Sequence, residues 1–224
     1  MTVSSGCKPV VLGVTGASGA MYAIRLLQSL WHADVDVHLT ISPSGAAVIK
    51  QETGLTVDLD RLDLVSLISF VPSWSTSQHR RSVEQTDWDD RLDNRFFYHR
   101  HDDFMTPIAS GSFQTSAMVV CPCSGSTLSG IARAAAGNLI QRAAEVHLKE
   151  HRKLILVPRE TPLSVLQLEN MHRIASAGGV ILPAMPGWYH DVDSLDSLLD
   201  FVVSRIMDQL GLENQLIKRW KDES

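Results

Sequence analysis

Val10-Val11-Leu12-Gly13-Val14-Thr15-Gly16-Ala17-Ser18-Gly19-Ala20-Met21-Tyr22 decides how this chain folds. It is an apolar run rich in β-branched residues that breaks at Thr15–Gly19 and passes straight into a helical pattern. A buried parallel strand, a glycine turn and a helix N-terminus in that order make an anion-binding site. Gly16 and Gly19 let backbone approach a ligand, and the first-turn N–H groups, unpaired within the helix, point at it. Ser18 adds a hydroxyl at the expected N-cap. Taken alone, the same pattern also serves as an ordinary first βα turn of a doubly wound sheet. Gly13, Gly16 and Gly19 fall as G-x-x-G-x-x-G, not as the G-x-G-x-x-G of dinucleotide sites. The spacing predicts a phosphate seat and no NAD.

Working outward, residues 35–41 alternate as a second strand that ends at Ser42-Pro43, and a helix is expected over about 45–52. A dinucleotide domain usually closes this strand with an acidic ribose ligand, whereas here Ser42 stands there. The first helix is expected over 20–30. A buried strand at Ala117–Cys123 runs into Ser124-Gly125-Ser126-Thr127. There Ser126 and Thr127 are expected to cap a helix over 128–136, or the loop holds a phosphate or a polar ring edge. Lys153–Pro158 is the next strand and ends in Arg159-Glu160; a helix near 163–177, a short strand at 180–183 and a final amphipathic helix over 194–210 follow. This alternation predicts an α/β three-layer sandwich, a parallel sheet with both faces covered. Ligands in such sheets bind outside the carboxyl ends of the strands. Gly16–Ser18, Ser42, Ser124–Thr127 and Arg159-Glu160 all lie there, so four polar loops converge on one crevice.

The 224 residues, 44% of them hydrophobic, supply the core of one domain over 8–212, with a polar insertion at about 72–101 and a C-terminal tail at 213–224. A net charge of −5 argues against nucleic acid or an anionic membrane as partner. No apolar stretch reaches the roughly 18 residues of a membrane span, and MTVSSGCKP lacks the pattern of a signal peptide. With three cysteines there is no disulfide framework, and a reducing, cytoplasmic compartment is expected. Cys121-Pro122-Cys123 reads as buried strand-end thiols, since no second Cys/His pair stands at zinc-ligand spacing. From Pro72 to His101 the chain is polar, mixed in charge and aperiodic, and reads as a surface excursion, partly ordered or extended into an arm. Its His79, His99 and His101 sit among arginines, and no metal is expected.

Seven segments then carry a resemblance: TGASGA from Thr15, ASGS at 109–112, CPCS at 121–124, NLIQRAAEVHLKE at 138–150, LVPRETP at 156–162, LENM at 168–171 and ILPAMPGWYH at 181–190. Together they resemble flavin prenyltransferases of the UbiX/Pad1 family over residues 8–70 and 102–212. The resemblance implies a Rossmann-like flavoprotein fold. It implies transfer of the dimethylallyl group of dimethylallyl phosphate to N5 and C6 of reduced FMN, without metal. The prenylated FMN would serve UbiD-type decarboxylases, and the protein would be a homo-oligomer, a dodecamer with sites at subunit junctions.

Carried over by residue, the resemblance places FMN at Gly16, Ala17, Ser18, Ser42, Ser124, Gly125, Ser126, Thr127 and Arg159. Arg142, Lys149, Tyr189 and Arg205 would grip the prenyl phosphate, with Ser110 and Phe104 beside the substrates. Phe104 stands where related chains often carry Trp, and its face stabilises an allylic cation less than an indole does. Glu160, Glu52, Lys149 and Ser18 would be the catalytic groups. Independent chemistry agrees: a departing phosphate needs converging cations, and Arg142 and Lys149, seven positions apart, share a helix face. Glu52 follows the second strand's helix, which need not face its own crevice. It is therefore expected to reach a neighbouring subunit, with the apolar stretch 62–71 available for the contact. His147, His151 and His172 are assigned to surface or packing. Two rival readings remain at this level: an FMN-dependent cysteine decarboxylase of the same fold, and a non-catalytic flavin carrier subunit. Ala109-Ser110-Gly111-Ser112 stands where the former carries its Asn-containing segment.

Overall fold

Six strands form one sheet in the computed structural model, which describes residues 8–88, 91–189 and 191–219. They are β1 (Val10–Val14), β2 (Val37–Ile41), β3 (Phe96–Tyr98), β4 (Ala117–Cys123), β5 (Lys153–Pro158) and β6 (Val180–Ile181), lying side by side as β3-β2-β1-β4-β5-β6. Every pairing is parallel. This is the doubly wound order, whose switch point falls between β1 and β4. Because strand side chains alternate, Leu12, Val14, Leu39, Val119 and Ile155 enter one core and Val11, Met118, Val120, Leu154 and Leu156 the other.

The helices cover both faces. Against the first core lie α1 (Ala20–His32), α2 (Pro43–Thr53), α3 (Leu64–Ile68) and, after the last strand, the long helix Leu195–Leu210. The two short helices α4 (Ser77–Glu84) and α5 (Arg91–Arg95) come next in the chain. The second core is covered by α6 (Gly125–Ala132), α7 (Leu139–Lys149) and α8 (Val165–Ser176), so Leu195–Leu210 is α9. Among the described residues no helix is long and apolar enough to cross a membrane.

The stretch 72–101 is neither an arm nor a loose excursion. It supplies α4, α5 and β3, and its Val83, Leu92 and Phe96 are buried. Trp88 and Phe96 pack on Trp31 of α1 at ring distances of 5.6 and 5.9 Å. Sequence periodicity missed this because β3 has three residues and its apolar anchors are separated by polar ones. The stretch 62–71 likewise spends Leu67 and Ile68 on the chain's own core, leaving Val65 exposed. Beyond α9, Leu212 and Leu216 fold back on the first core, and Asp208 holds Asn214 and Arg219. The N-terminal MTVSSGC with its Cys7, Asp89-Asp90, His190 of the ILPAMPGWYH stretch and residues 220–224 lie outside the described residues.

Buried histidines make the fold sensitive to acid. His38 of β2 stacks on His99, with Nδ1 and Nε2 2.7 Å apart, so one ring donates and the other accepts. His147 Nδ1 donates to the Ala143 carbonyl, and its Nε2 accepts the Thr115 hydroxyl at 2.8 Å. Burial lowers all three, His38 to about 4, where the like charge of His99 adds to the effect. An unfolded histidine takes its proton near pH 6.5. Stability is therefore full above that pH and falls as pH drops from 6.5 towards 4, because the unfolded chain binds more protons. Thermal melts should show this fall, and His38→Leu should shallow it. A melting temperature constant from pH 7.5 to 4.5 contradicts the arrangement.

Candidate functional site

At the switch point one side chain joins the two strands that diverge. Thr15 Oγ1 donates to the Pro122 carbonyl at 2.7 Å and accepts the Ser124 N–H at 2.8 Å, tying the ends of β1 and β4. The turn that follows is packed tightly. Gly16 has no room for a side chain, since a Cβ there would meet Ser44 Cβ at 2.5 Å, so its missing side chain brings the first and second βα turns together. Gly19, at φ 115°, is the N-cap of α1, in a conformation that favours glycine.

Ser18 is not that cap. Its side chain is exposed, and its carbonyl accepts from Arg159 Nε at 3.0 Å. The amides at the start of α1 hold the Glu52 carboxylate instead: Gly19 N–H at 2.9 and 3.1 Å and Ala20 N–H at 2.7 Å. Glu52 thus belongs to its own chain's crevice, which corrects the expectation that it reaches across to a neighbour. The α2 helix places it there, because the Gly16–Ser44 contact brings α2 against α1.

The other loops close in the same way. Ser42 Oγ caps α2 by accepting from Gly45 N–H at 3.0 Å and lies 3.1 Å from Ser44 Oγ. Ser124, not Ser126 or Thr127, caps the next helix, which therefore starts at Gly125; its Oγ lies 3.1 Å from both Ser126 Oγ and Thr127 Oγ1. Three helix N-termini with their hydroxyls, and the cation of Arg159, thus gather at the carboxyl edge. Glu160 is exposed beside Arg159. These residues fit a phosphorylated flavin such as FMN. A carboxylate already sits where an anionic oxygen would bind, and a phosphate at Gly16–Ser18 has to share or displace it. Cys121 and Cys123 are buried and pushed up by that burial, Cys123 to about 12, so both stay neutral thiols. Among the described residues no three His, Cys, Asp or Glu side chains stand together as a metal requires.

A second group assembles elsewhere. Arg142 Nε donates to the Ala109 carbonyl at 3.1 Å, and Lys149 Nζ lies against Gly111. Both reach the loop that leads into the amino end of β4 and carries Ser110, whose Oγ is 2.9 Å from Ser112 Oγ. Phe104 is exposed on the segment before it. Since α7 runs back along the sheet and β5 opens at Lys153, Lys149 stands at the amino edge, opposite the crevice. A third group lies by the edge strand β6. Tyr189 meets Phe201 of α9 edge-on at 5.6 Å, and Arg205, paired with Asp208 at 2.9 Å, lines a hollow with Leu182, Met185 and Phe201. A single chain therefore gathers Gly16, Ala17, Ser18, Ser42, Glu52, Ser124–Thr127, Arg159 and Glu160 at one place. Arg142, Lys149 and Ser110 stand at a second, and Tyr189 and Arg205 at a third.

Sequence reading missed Thr15 and Tyr22. Tyr22 lies under Gly19 in the first turn of α1; burial raises its phenol, with the Cys121 thiol adding and Arg159 opposing. The only available signal was a hydroxyl and a phenol flanking the glycine turn.

A family model described as Flavoprotein matches residues 2–207. The chain is 42% identical over 223 residues to the flavin prenyltransferase UbiX of Halalkalibacterium halodurans, covering 100% of this chain and 97% of that one. It is similar to the crystal structure of AnUbiX (PadA1) in complex with FMN and dimethylallyl pyrophosphate, at 33% identity and a TM-score of 0.78, over 98% of this chain and 100% of that one. It is also similar to a dodecameric FMN-dependent UbiX-like decarboxylase from Escherichia coli O157:H7, at 36% identity and a TM-score of 0.75, over 95% and 99% of the two chains.

Two substitutions test this geometry in the free protein. Thr15→Val leaves the Ser124 N–H without its partner and should cost about 2 kcal/mol. Glu52→Ala uncaps α1 and should cost about 1 kcal/mol. Urea unfolding reads both, and stability unchanged in either variant removes the corresponding contact from the account.

Proposed function

This chain belongs to the flavin prenyltransferases of the flavoprotein family, and on that premise we propose that it transfers the dimethylallyl group of dimethylallyl phosphate to reduced FMN. The observation that carries the reading is the convergence of Arg142 and Lys149 on the loop 109–112: two cations on one loop suit a departing phosphate. Reduced FMN would supply two atoms: N5 would take the allylic carbon as its C–O bond breaks and the electron pair leaves with phosphate, and C6 would take the far prenyl carbon once the double bond gains a proton, C6 giving up its own proton in turn.

The chain's own residues do the remaining work. Gly16–Ser18, Ser42, Ser124–Thr127 and Arg159 hold the flavin nucleotide and fix its orientation. Arg142, Lys149, Tyr189 and Arg205 neutralise the phosphate as charge develops on it. Glu52, seated beside Ser18 on the first amides of α1, and Glu160, beside Arg159, are the carboxylates that take up and return protons. Ser110 and Phe104 line the path of the prenyl chain. The product is prenylated FMN, for which UbiD-type decarboxylases are the recipients.

Distribution of these groups supports a site shared between subunits. The crevice lies at the carboxyl edge and Lys149 at the amino edge of the same sheet, so one chain supplies the flavin seat and another supplies Arg142 and Lys149. Tyr189 and Arg205, by β6, fit a third contribution. A closed assembly that repeats such junctions is the dodecamer named for the Escherichia coli relative.

Incubation with reduced FMN and dimethylallyl phosphate should yield a flavin heavier by one C5 unit; FMN recovered unchanged contradicts the proposal. Glu160→Gln and Lys149→Ala should keep FMN and lose turnover by about 100-fold or more, the scale of a transition-state charge contact. Near-normal turnover removes that residue from the site. Co-assembly of these two inactive variants should recover about a quarter of wild-type activity, because about one junction in four pairs an intact crevice with an intact α7. No recovery despite confirmed subunit exchange contradicts the shared site.

A further inference from the structure

We propose that Glu150 is the positioning residue of Lys149, and that Gly111 is the notch in which the pair is set. The inference rests on the reading of Lys149 as a phosphate-binding group.

The local geometry is specific. Lys149 is the last residue of α7 and Glu150 its C-cap, so both side chains leave the helix where its regular hydrogen bonding stops. Lys149 Nζ donates to Glu150 Oε1 at 2.5 Å, and the ammonium draws the Glu150 carboxyl below the ordinary range. The pair lies directly over Gly111. A Cβ at that position would fall 2.9 Å from Lys149 Nζ and 2.9 Å from Glu150 Cδ, and would run into Glu150 Oε1. The backbone beneath is fixed by a second side chain from the same end of α7. Arg152 Nη2 donates to the Gly111 carbonyl at 2.5 Å, and its Nη1 to the Phe113 carbonyl at 2.6 Å. Arg142 fixes the loop at its other end through Ala109.

These contacts have a consequence for the flexible lysine. An ammonium on four methylenes is a mobile point charge, and its use against a developing phosphate charge depends on being held before the substrate arrives. Lys149 is about half exposed at 51%. Glu150 supplies the missing constraint as an acceptor of fixed reach, and Gly111 leaves the room for it. In the single chain an ion pair this exposed contributes little to folding. Gly111→Ala is the sharper probe: it deletes no polar atom, and what its Cβ meets are the far ends of two flexible side chains, which move aside and take the ammonium with them.

The test uses the assembled enzyme with Glu150→Ala, Glu150→Gln and Gly111→Ala, each made alone and in a Lys149→Ala background. Two quantities are read: kcat and KM for dimethylallyl phosphate, and the affinity of the unreduced enzyme, in which no transfer occurs, for the same compound by calorimetry. Glu150→Ala and Gly111→Ala should each lower kcat/KM and the binding constant about tenfold, a size expected for a displaced positioning contact. FMN affinity and melting temperature should stay unchanged. Glu150→Gln, which keeps an oxygen acceptor at the same reach, should recover most of the loss. In the Lys149→Ala background neither substitution should lower anything further. Full activity of Glu150→Ala and Gly111→Ala overturns the inference, as do losses that persist undiminished without Lys149. Near-normal turnover of Lys149→Ala alone overturns the role of Lys149 itself, and is thereby distinguishable from failure of the Glu150 assignment.

Discussion

Parallel pairing of all six strands is the constraint from which the rest of this molecule follows. Each strand must be followed by a return connection, so the return helices start at the carboxyl edge and finish at the amino edge. Helix N-termini, with their partial positive charge and unpaired amides, are therefore concentrated on one side. This gives the crevice its affinity for anions before any particular side chain is considered. The same constraint sends the end of α7, with Lys149, to the far edge. A site that needs both edges of the sheet needs two copies of the sheet.

Within the crevice, hydroxyls and a carboxylate decide how that concentrated positive potential is used. Ser42 and Ser124 spend theirs on capping α2 and α6, which defines where those helices begin. The start of α1 is different, because its cap comes from Glu52, distant in sequence. A helix cap of this kind contributes about 1 kcal/mol. A phosphate dianion near Arg159 gains charge-assisted hydrogen bonds of greater strength. On the proposed reading, the Glu52 carboxylate on the first amides of α1 is a modest internal anion that yields to the flavin phosphate.

Much of this was legible in the residues. The β1 run, its glycine turn, β4, β5 and α9 follow from periodicity and turn chemistry, because each is long or strongly patterned. What periodicity missed was short or depended on tertiary partners. β3 has three residues, and its place at the sheet edge is set by Trp31 packing against Trp88 and Phe96 rather than by local pattern. Glu52 was expected in a neighbour's site because nothing local shows that α2 leans on α1; the cause is a missing side chain at Gly16, several turns away in the chain. Ser18 looked like a cap because its residue type suits one, yet the glycine after it takes the conformation that starts the helix. The convergence of the crevice loops was readable from topology. The separation of Lys149 from them was equally implied by topology, but becomes visible only when α7 is followed to the start of β5.

On the proposed function, the prenyl-phosphate grip and the flavin seat of one reaction site come from different chains. A crystal structure of the assembled enzyme with FMN and dimethylallyl phosphate measures this directly. The flavin phosphate should lie at Gly16–Ser18 and Arg159 of one subunit, and the donor phosphate within hydrogen-bond distance of Arg142 and Lys149 of another. A donor phosphate held by Arg142 and Lys149 of the same subunit that holds the flavin, or by neither residue of any subunit, contradicts it.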